Sequence, residues 1–324
     1  MSLPGEFELI RRYFAPLAGP GSLSLSDDAA VIEPRPGWSL VATADTVIAG
    51  VDFLAADPAG LVARKALRVN LSDLAAMGAE PLGYLLAVSW PRDTEEGWIA
   101  EFARGLATDQ AEFSIALLGG DTSATPGPLS ITITALGQVE QGRAMLRSGA
   151  RPGDHIHMSG TLGDAALGLK VARGAGASLS EGARGFLIDR YRLPRPRVAL
   201  GRRLVGIATA GQDISDGLGG DLAHICAASN LGARIEATRL PLSEAGRALI
   251  HAGGASLIDA ISGGDDYELL FTAPPEKQAD LARLAAELDL PLTRIGEIRA
   301  EPGLEVLDER GSPMPLDARG YRHF

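Results

Sequence analysis

A chain of 324 residues with 40 glycines, 20 prolines and 46% hydrophobic residues describes a turn-rich globular protein of one large or two medium α/β domains, and excludes a disordered one. Its formal charge of −11 argues against a surface built for nucleic acid or an anionic membrane, since both are held mainly by clustered Lys and Arg; a protein this acidic that handles phosphate needs metal cations. Cys226 is the single cysteine, which rules out an internal disulfide and fits a reducing cytosol, and no apolar run is long enough to span a membrane, so the expectation is a soluble, cytoplasmic protein.

In chain order, residues 7–14 read as a short amphipathic helix, and 23–32, within SLSLSDDAAVI, as an alternating strand interrupted at a turn by Asp27 and Asp28. Residues 40–44 read as a strand ending in Asp45-Thr46. Asp57-Pro58 then opens a helix whose Leu67, Leu71 and Leu74 form the packed face, while Asn70 and Asp73 share another; Gly78 stops it. A carboxylate beside a packed stripe is costly unless hydrogen-bonded, paired or metal-bound, so Asp73 needs a partner. Residues 82–89 read as a strand, and 93–108 as a helix opened by an Asp93-x-x-Glu96 capping pattern, with Trp98, Ile99, Phe102 and Leu106 facing inward. Strand 115–118 runs into Gly119-Gly120-Asp121-Thr122, where two glycines allow a backbone to approach a ligand closely. Residues 129–139 alternate cleanly as a strand, and the aperiodic segment 140–152 marks a domain boundary.

The second half opens with a strand at 155–158, a glycine turn, and a helix over 165–171 whose N-terminus is a favourable anion site. A helix follows the RLPRPR segment at 192–197. In QDISDGLGGD, residues 212–221, Asp213, Ser215 and Asp216 crowd a turn before a helix that starts near Leu218. A strand at 233–237, a helix after Ser243, the loop 262–268, a helix over 277–288 and short strands near Ile295 and Leu304 complete the chain.

No P-loop, dinucleotide fingerprint, zinc-protease helix, zinc cluster or nucleophile elbow is present. What recurs is Asp at turns flanked by Gly, Ser and Thr: Asp28, Asp45, Asp73, Asp121, Asp213 and Asp216. Any one of these is accounted for by the preference of Asp for turns and caps. Together, hard oxygen ligands with no thiolate or imidazole cluster suit Mg²⁺ held beside phosphates. His155 and His157 alternate on one strand, but two imidazoles lacking a third ligand read as exposed strand residues. Cys226 reads as a small core residue, and Arg147 as a solvated arginine or a phosphate ligand.

The strings GEFELI, TADTV, NLSDLAAMGAEP, LGGDT, RSGARPGD, SGTLGDAALGL, DISDGL, SGGDDYEL and GYRHF, with the Asp27-Asp28 pair, run in order from Gly5 to Phe324 and resemble the thiamine-monophosphate kinases. The resemblance implies two α/β domains: 1–142, an N-terminal ATP- and Mg-binding domain whose sheets pair across a homodimer, and 143–324, a C-terminal domain completing the nucleotide and substrate sites. It implies Mg²⁺ ligands at Asp28, Thr43, Ala44, Asp45, Asp73, Asp121, Asp213 and Asp216, with Ala44 offering only backbone. Asp73, Asp213 and Asp216 would act in catalysis through the metal. The implied nucleotide contacts are Gly120, Asp121, Arg147 and Ser215, and the implied substrate contacts are Asp52, Asp265 and Tyr321. Many relatives carry His where this chain has Asp52 and Glu where it has Asp265; the second exchange keeps the charge and the first reverses it.

The activity so implied is ATP-dependent phosphorylation of thiamine monophosphate to thiamine diphosphate, by in-line transfer assisted by several Mg²⁺ ions. Selenophosphate synthesis would call for a reactive Cys and a Lys near the N-terminus, which are missing, and aminoimidazole ribonucleotide synthesis is disfavoured by SGGDDYEL and GYRHF. A non-catalytic nucleotide-binding maturation partner would use a C-terminal cysteine, whereas this chain ends in His323-Phe324.

Overall fold

The computed structural model describes residues 5–314, so Tyr321 lies outside the described residues. The chain divides into two compact units, Met1–Leu74 with Ala79–Gly142, and Ala75–Gly78 with Arg143–Phe324.

In the first unit, α1 (Glu6–Leu9) runs on as a π-helical turn over Ile10–Phe14 and a 3-10 turn over Ala15–Leu17. The strand expected over 23–32 does not form. Leu23, Ser24 and Leu25 take left-handed backbone angles in a 3-10 turn, and the chain then passes Asp27 and Asp28 as a loop held by Val31 N–H on the Gly21 carbonyl at 2.8 Å. Strand β1 (Trp38–Ile48) carries on past the expected end, so Asp45 sits within it. Helix α2 (Ala59–Ala76) starts just after Asp57-Pro58: Leu61 and Val62 donate to the Pro58 carbonyl, and Gly78 breaks out at φ +70. Leu67, Leu71 and Leu74 are fully buried, as the spacing requires.

Strand β2 (Glu80–Pro91) is followed by α3 (Glu96–Phe113), β3 (Ala116–Thr125) and β4 (Ser130–Glu140). The expected capping pair at Asp93 and Glu96 is not made. Thr94 closes a turn on Pro91, the helix begins only at Glu96, and its N-cap residue Glu95 makes no capping bond through its side chain. The sheet order is β1-β4-β2-β3, antiparallel except for the β2–β3 pair joined through α3. One face is buried, with Tyr84, Val88, Ile131 and Ile133 below 3% exposed; the other bears Leu40, Ala42, Ala44, Leu85 and Ala87, all exposed.

The second unit contains β5 (His155–Ser159), α4 (Asp164–Ala172), α5 (Glu181–Arg192), α6 (Val198–Leu204), β6 (Ala210–Asp213), α7 (Leu218–Ser229), β7 (Gly232–Glu236), α8 (Glu244–His251), α9 (Leu257–Ser262), β8 (Leu269–Ala273), α10 (Gln278–Leu288), β9 (Leu292–Arg299) and β10 (Gly303–Leu307). The six-stranded sheet has the order β10-β7-β9-β5-β8-β6. Side-chain alternation gives it two buried faces. Ile156, Met158, Leu270 and Ile295 pack with Leu222 and Ile225 of α7, whereas Leu269, Phe271 and Ala273 pack with Leu204 of α6 and Leu281 and Leu284 of α10. A third cluster, with Leu167, Leu187 and Leu249, ties α4, α5 and α8 together.

Candidate active site

In the first unit, period-two alternation along β1 puts Thr43 and Asp45 on the face turned toward α2, where Asn70 and Asp73 wait three residues apart. The Thr43 hydroxyl donates to Asp73 Oδ2 at 2.5 Å, and Asn70 Oδ1 accepts the backbone N–H of Asp45 at 3.1 Å. Among the described residues the β1 strand pairs only with β4, so the Asn70 contact satisfies an amide on an edge strand. Asp73 thus has the hydrogen-bonded partner that its position demanded, and three of the expected metal-site residues, Thr43, Asp45 and Asp73, stand together. Ala44 points to the opposite, exposed face.

That opposite face borders a cavity of about 640 Å³ between the N-terminal segment and the sheet. Phe14, Leu25, Leu85 and Leu117 give it apolar walls, and Asp28, Gly120 and Asp121 also line it. Asp121 pairs in register with Ala87, which pairs with Thr132, so the three share the open face. Asp28 and Asp121 are both exposed. The GGDT string lies inside β3 and does not follow it. A Cβ on Gly120 would come within 1.9 Å of the Leu86 carbonyl, so this glycine admits the neighbouring strand; at Gly119 the nearest atom would be a Leu85 side-chain carbon at 3.4 Å.

In the second unit, Asp213 ends β6 and the chain turns through Ile214, Ser215 and Asp216 to Gly217, whose φ of +102 suits only glycine, before α7 begins. The SGGDDYE loop lies against this turn. Asp265 N–H donates to the Ser215 carbonyl at 2.9 Å, Tyr267 N–H to the Ile214 carbonyl at 2.8 Å, and Ile214 N–H to the Glu268 carbonyl at 2.9 Å. Asp265 and Tyr267 have φ of +70 and +51, and the Tyr267 hydroxyl reaches Asp265 Oδ1 at 3.4 Å. Asp266 and Glu268, alternating with them, point inward and are fully buried.

The anion site expected at the α4 N-terminus is filled from within the chain. Asp266 accepts the N–H groups of Gly163 and Ala165, at 2.5 and 3.1 Å. Burial pushes its carboxyl up to about 8, against those two donors and the charge of Arg190. Glu268 accepts from the Ser159 hydroxyl and from the guanidinium groups of Arg190 and Arg197. Asp221, in the first turn of α7, is also buried. Its carboxyl is raised to about 7, mainly by burial, and it accepts the N–H groups of Ser215 and Asp216.

Asp221, Asp266, Glu268, Arg190 and Arg197 were not singled out by the sequence reading. Their signal was present in the strings, since GGDL and DDYE both carry an acid at a spacing that turns inward, but only the fold shows which acid faces the core.

Of the remaining candidates, Asp52 Oδ2 accepts the Ile48 N–H at 2.8 Å and closes a turn, with Lys65 Nζ on the Asp52 carbonyl. Arg147 is exposed, its carbonyl accepting from Ser229. His157 is not an exposed strand residue: it is 1% exposed and stacks on Phe271 at 5.4 Å, because β5 lies inside the sheet. Cys226 is a buried core residue whose thiol is raised to about 11 by burial.

Among the described residues, no three His, Cys, Asp or Glu side chains are gathered closely enough to hold a metal ion. The donor set nevertheless fits Mg²⁺ chemically. Thr43, Asp45 and Asp73 in one unit and Asp213 and Asp216 in the other offer hard oxygen atoms. No helix among the described residues is long and apolar enough to cross a membrane.

The N-terminal domain model of the AIR synthase related proteins matches residues 26–139, and the C-terminal domain model of the same family matches 151–309. A thiamine-monophosphate kinase of Caulobacter vibrioides is 45% identical over 325 residues, covering 99% of this chain and 91% of its own. The crystal structure of a thiamine-monophosphate kinase from Stenotrophomonas maltophilia K279a is 44% identical and superimposes with a TM-score of 0.85, covering 97% of this chain and 99% of that one. A solved AaThiL, complexed with AMPPCP and TMP, is 31% identical with a TM-score of 0.80, covering 99% and 97%. With both domains matched and the likeness running the length of the chain, the protein belongs to the AIR synthase related proteins and, within them, to the thiamine-monophosphate kinases, a family of phosphotransferases.

Proposed function

We propose that the chain transfers the γ-phosphoryl group of ATP to the phosphate of thiamine monophosphate, giving thiamine diphosphate and ADP. The observation that carries this reading is the 45% identity to a thiamine-monophosphate kinase across 99% of the chain. The 31% identical relative complexed with AMPPCP, an ATP analogue, and TMP supports the same pair of substrates.

The residues present suit that chemistry. A phosphate monoester has a second pKa near 6, so the acceptor oxygen is already anionic at neutral pH and needs no general base. The obstacle is the meeting of two anions. Asp45, Asp73 and Thr43, with the Ala44 carbonyl, Asp28 and Asp121, and in the second unit Asp213 and Asp216, are the proposed Mg²⁺ ligands. When bound, the metal supplies charge screening and alignment for an in-line displacement. Gly120, Asp121, Ser215 and Arg147 are assigned to the nucleotide. The apolar walls of the cavity beside Gly120 and Asp121 support this for the first two. Asp265 and Asp52 are assigned to the acceptor, with Tyr321. Leu40, 46% exposed on the β1 edge of the four-stranded sheet and outside the cavity lining, supports pairing of that sheet across a homodimer. A reducing cytoplasm is the proposed location.

The test is mass spectrometry of products after incubation with Mg-ATP and either thiamine monophosphate or thiamine. Thiamine diphosphate and ADP from the monophosphate alone is the expected result. Absence of product from both, with Mg-ATP still binding, overturns the assignment.

A further inference from the structure

Helix α7 has no side-chain cap of its own, since Gly217 occupies its N-cap. Asp221 reaches back from the first turn, but not to the amides of that turn. Its Oδ2 accepts the N–H groups of Ser215 and Asp216, both at 3.0 Å, and its Oδ1 accepts from Gln212 Nε2 at 2.6 Å. Asp221 is 1% exposed and Gln212 3%, so these bonds are made away from water, where an unmade partner is costly. A carboxylate serving only the helix would hold the helix's own amides. This one holds the two residues before Gly217 that carry the Ser215 hydroxyl and the Asp216 carboxylate.

We propose that Asp221 is a positioning residue for phosphoryl transfer, a buried acceptor that fixes the backbone of Ser215 and Asp216 and so aims the Asp216 carboxylate at the metal-bound nucleotide. This rests on the assignment of Asp213 and Asp216 as Mg²⁺ ligands. The clamp works through acceptor atoms, and its charge is dispensable. Gln212 Oε1 is buried and has no hydrogen-bond partner among the described residues, so in Asp221→Asn the Gln212 amide can turn over and accept from the new amide nitrogen while the remaining oxygen keeps both backbone N–H groups.

The experiment is calorimetric titration of Mn²⁺ into the full chain without nucleotide, beside the Mg²⁺ dependence of thiamine monophosphate phosphorylation and the melting temperature. Asp221→Ala is expected to weaken Mn²⁺ binding about 10- to 100-fold, as loss of a partner that orients a metal ligand does, and to raise the Mg²⁺ concentration for half-maximal rate in step. Asp221→Asn is expected to rescue both to within about threefold. Equal loss in the Asn and Ala variants, or wild-type Mn²⁺ binding by a folded Ala variant, overturns the clamp. If the Ala variant does not fold, Gln212→Leu, which frees the carboxylate to swing, is expected to weaken Mn²⁺ binding about fivefold, and unchanged binding overturns the proposal. A wild-type chain that binds no Mn²⁺ overturns the metal assignment and the clamp together. One that binds Mn²⁺ with the clamp pattern above but phosphorylates nothing overturns only the reaction.

Discussion

Asp265 donates its backbone N–H to the carbonyl oxygen of Ser215 at 2.9 Å, which joins two motifs that lie about fifty residues apart in the chain. With Tyr267 on Ile214 and Ile214 on Glu268, the contact makes a short ladder that presents Asp265 beside Ser215 and Asp216. Gly264 permits it. A Cβ there would stand 2.0 Å from the Ser215 carbonyl oxygen, with no flexible side chain to give way.

Gly264→Ala is therefore expected to push the loop off the turn. Overpacking against backbone costs about 1–3 kcal/mol, read as a lower urea midpoint, and thiamine monophosphate turnover should fall with it. A variant with wild-type stability and turnover would show that the two segments need not touch.

Asp73→Asn keeps shape and removes charge. The Thr43 hydroxyl can still donate to the amide oxygen, so folding should change little. Turnover at saturating Mg²⁺ should drop about 100-fold or more if the carboxylate holds the metal that screens the phosphates. Steady-state kinetics across a Mg²⁺ series checks this; wild-type turnover would remove Asp73 from the metal assignment.

Glu268 is 1% exposed at its side chain and faces Arg190, 3% exposed, and Arg197, 20% exposed. Glu268→Gln leaves those guanidinium groups without their counter-charge and should cost about 3–5 kcal/mol by urea denaturation. At the surface, Arg12 is 57% exposed beside Glu96, and Arg12→Ala should cost no more than about 1 kcal/mol. Equal costs for the two would contradict the difference in burial.

Burial holds His157 down to about 4 from its ordinary 6.5, with the positive charges of His155 and Arg294 adding to the effect. The unfolded chain then binds more protons between these values. Stability linked to His157 is fully present above pH 6.5 and is lost as pH falls toward 4, a total of about 3 kcal/mol. His157→Phe, which keeps a ring on Phe271 and removes a buried Nδ1 that has no partner among the described residues, should flatten melting temperature against pH over that window. An unchanged slope would assign the acid sensitivity elsewhere.

How far the sequence carried varied with the element. Leu67, Leu71 and Leu74 marked the α2 core face because helical spacing is local, and the alternation of 129–139 marked β4 for the same reason. The segment 23–32 alternates as well, yet Leu23–Leu25 turn left-handed, since alternation makes a strand only where a neighbouring strand accepts its amides. His157 could not be told from an exposed residue, because the period of two shows that faces differ but not that both are covered. At the α4 N-terminus the glycine turn and helix were legible. That its amides are already taken by Asp266, a hundred residues on, was not.

The sequence by itself determined the family, the α/β class and the acidic, oxygen-only character of the candidate site, because motif order and residue chemistry belong to the chain. Tertiary structure decided which carboxylates stay open to solvent and which are consumed inside the protein. Asp266, Glu268 and Asp221 look like any other acid in their strings, yet burial commits them to backbone amides and arginines, while Asp28 and Asp121 remain open to solvent. That division turns on desolvation: a buried carboxylate must be satisfied from within, and only three-dimensional packing brings the donors to it.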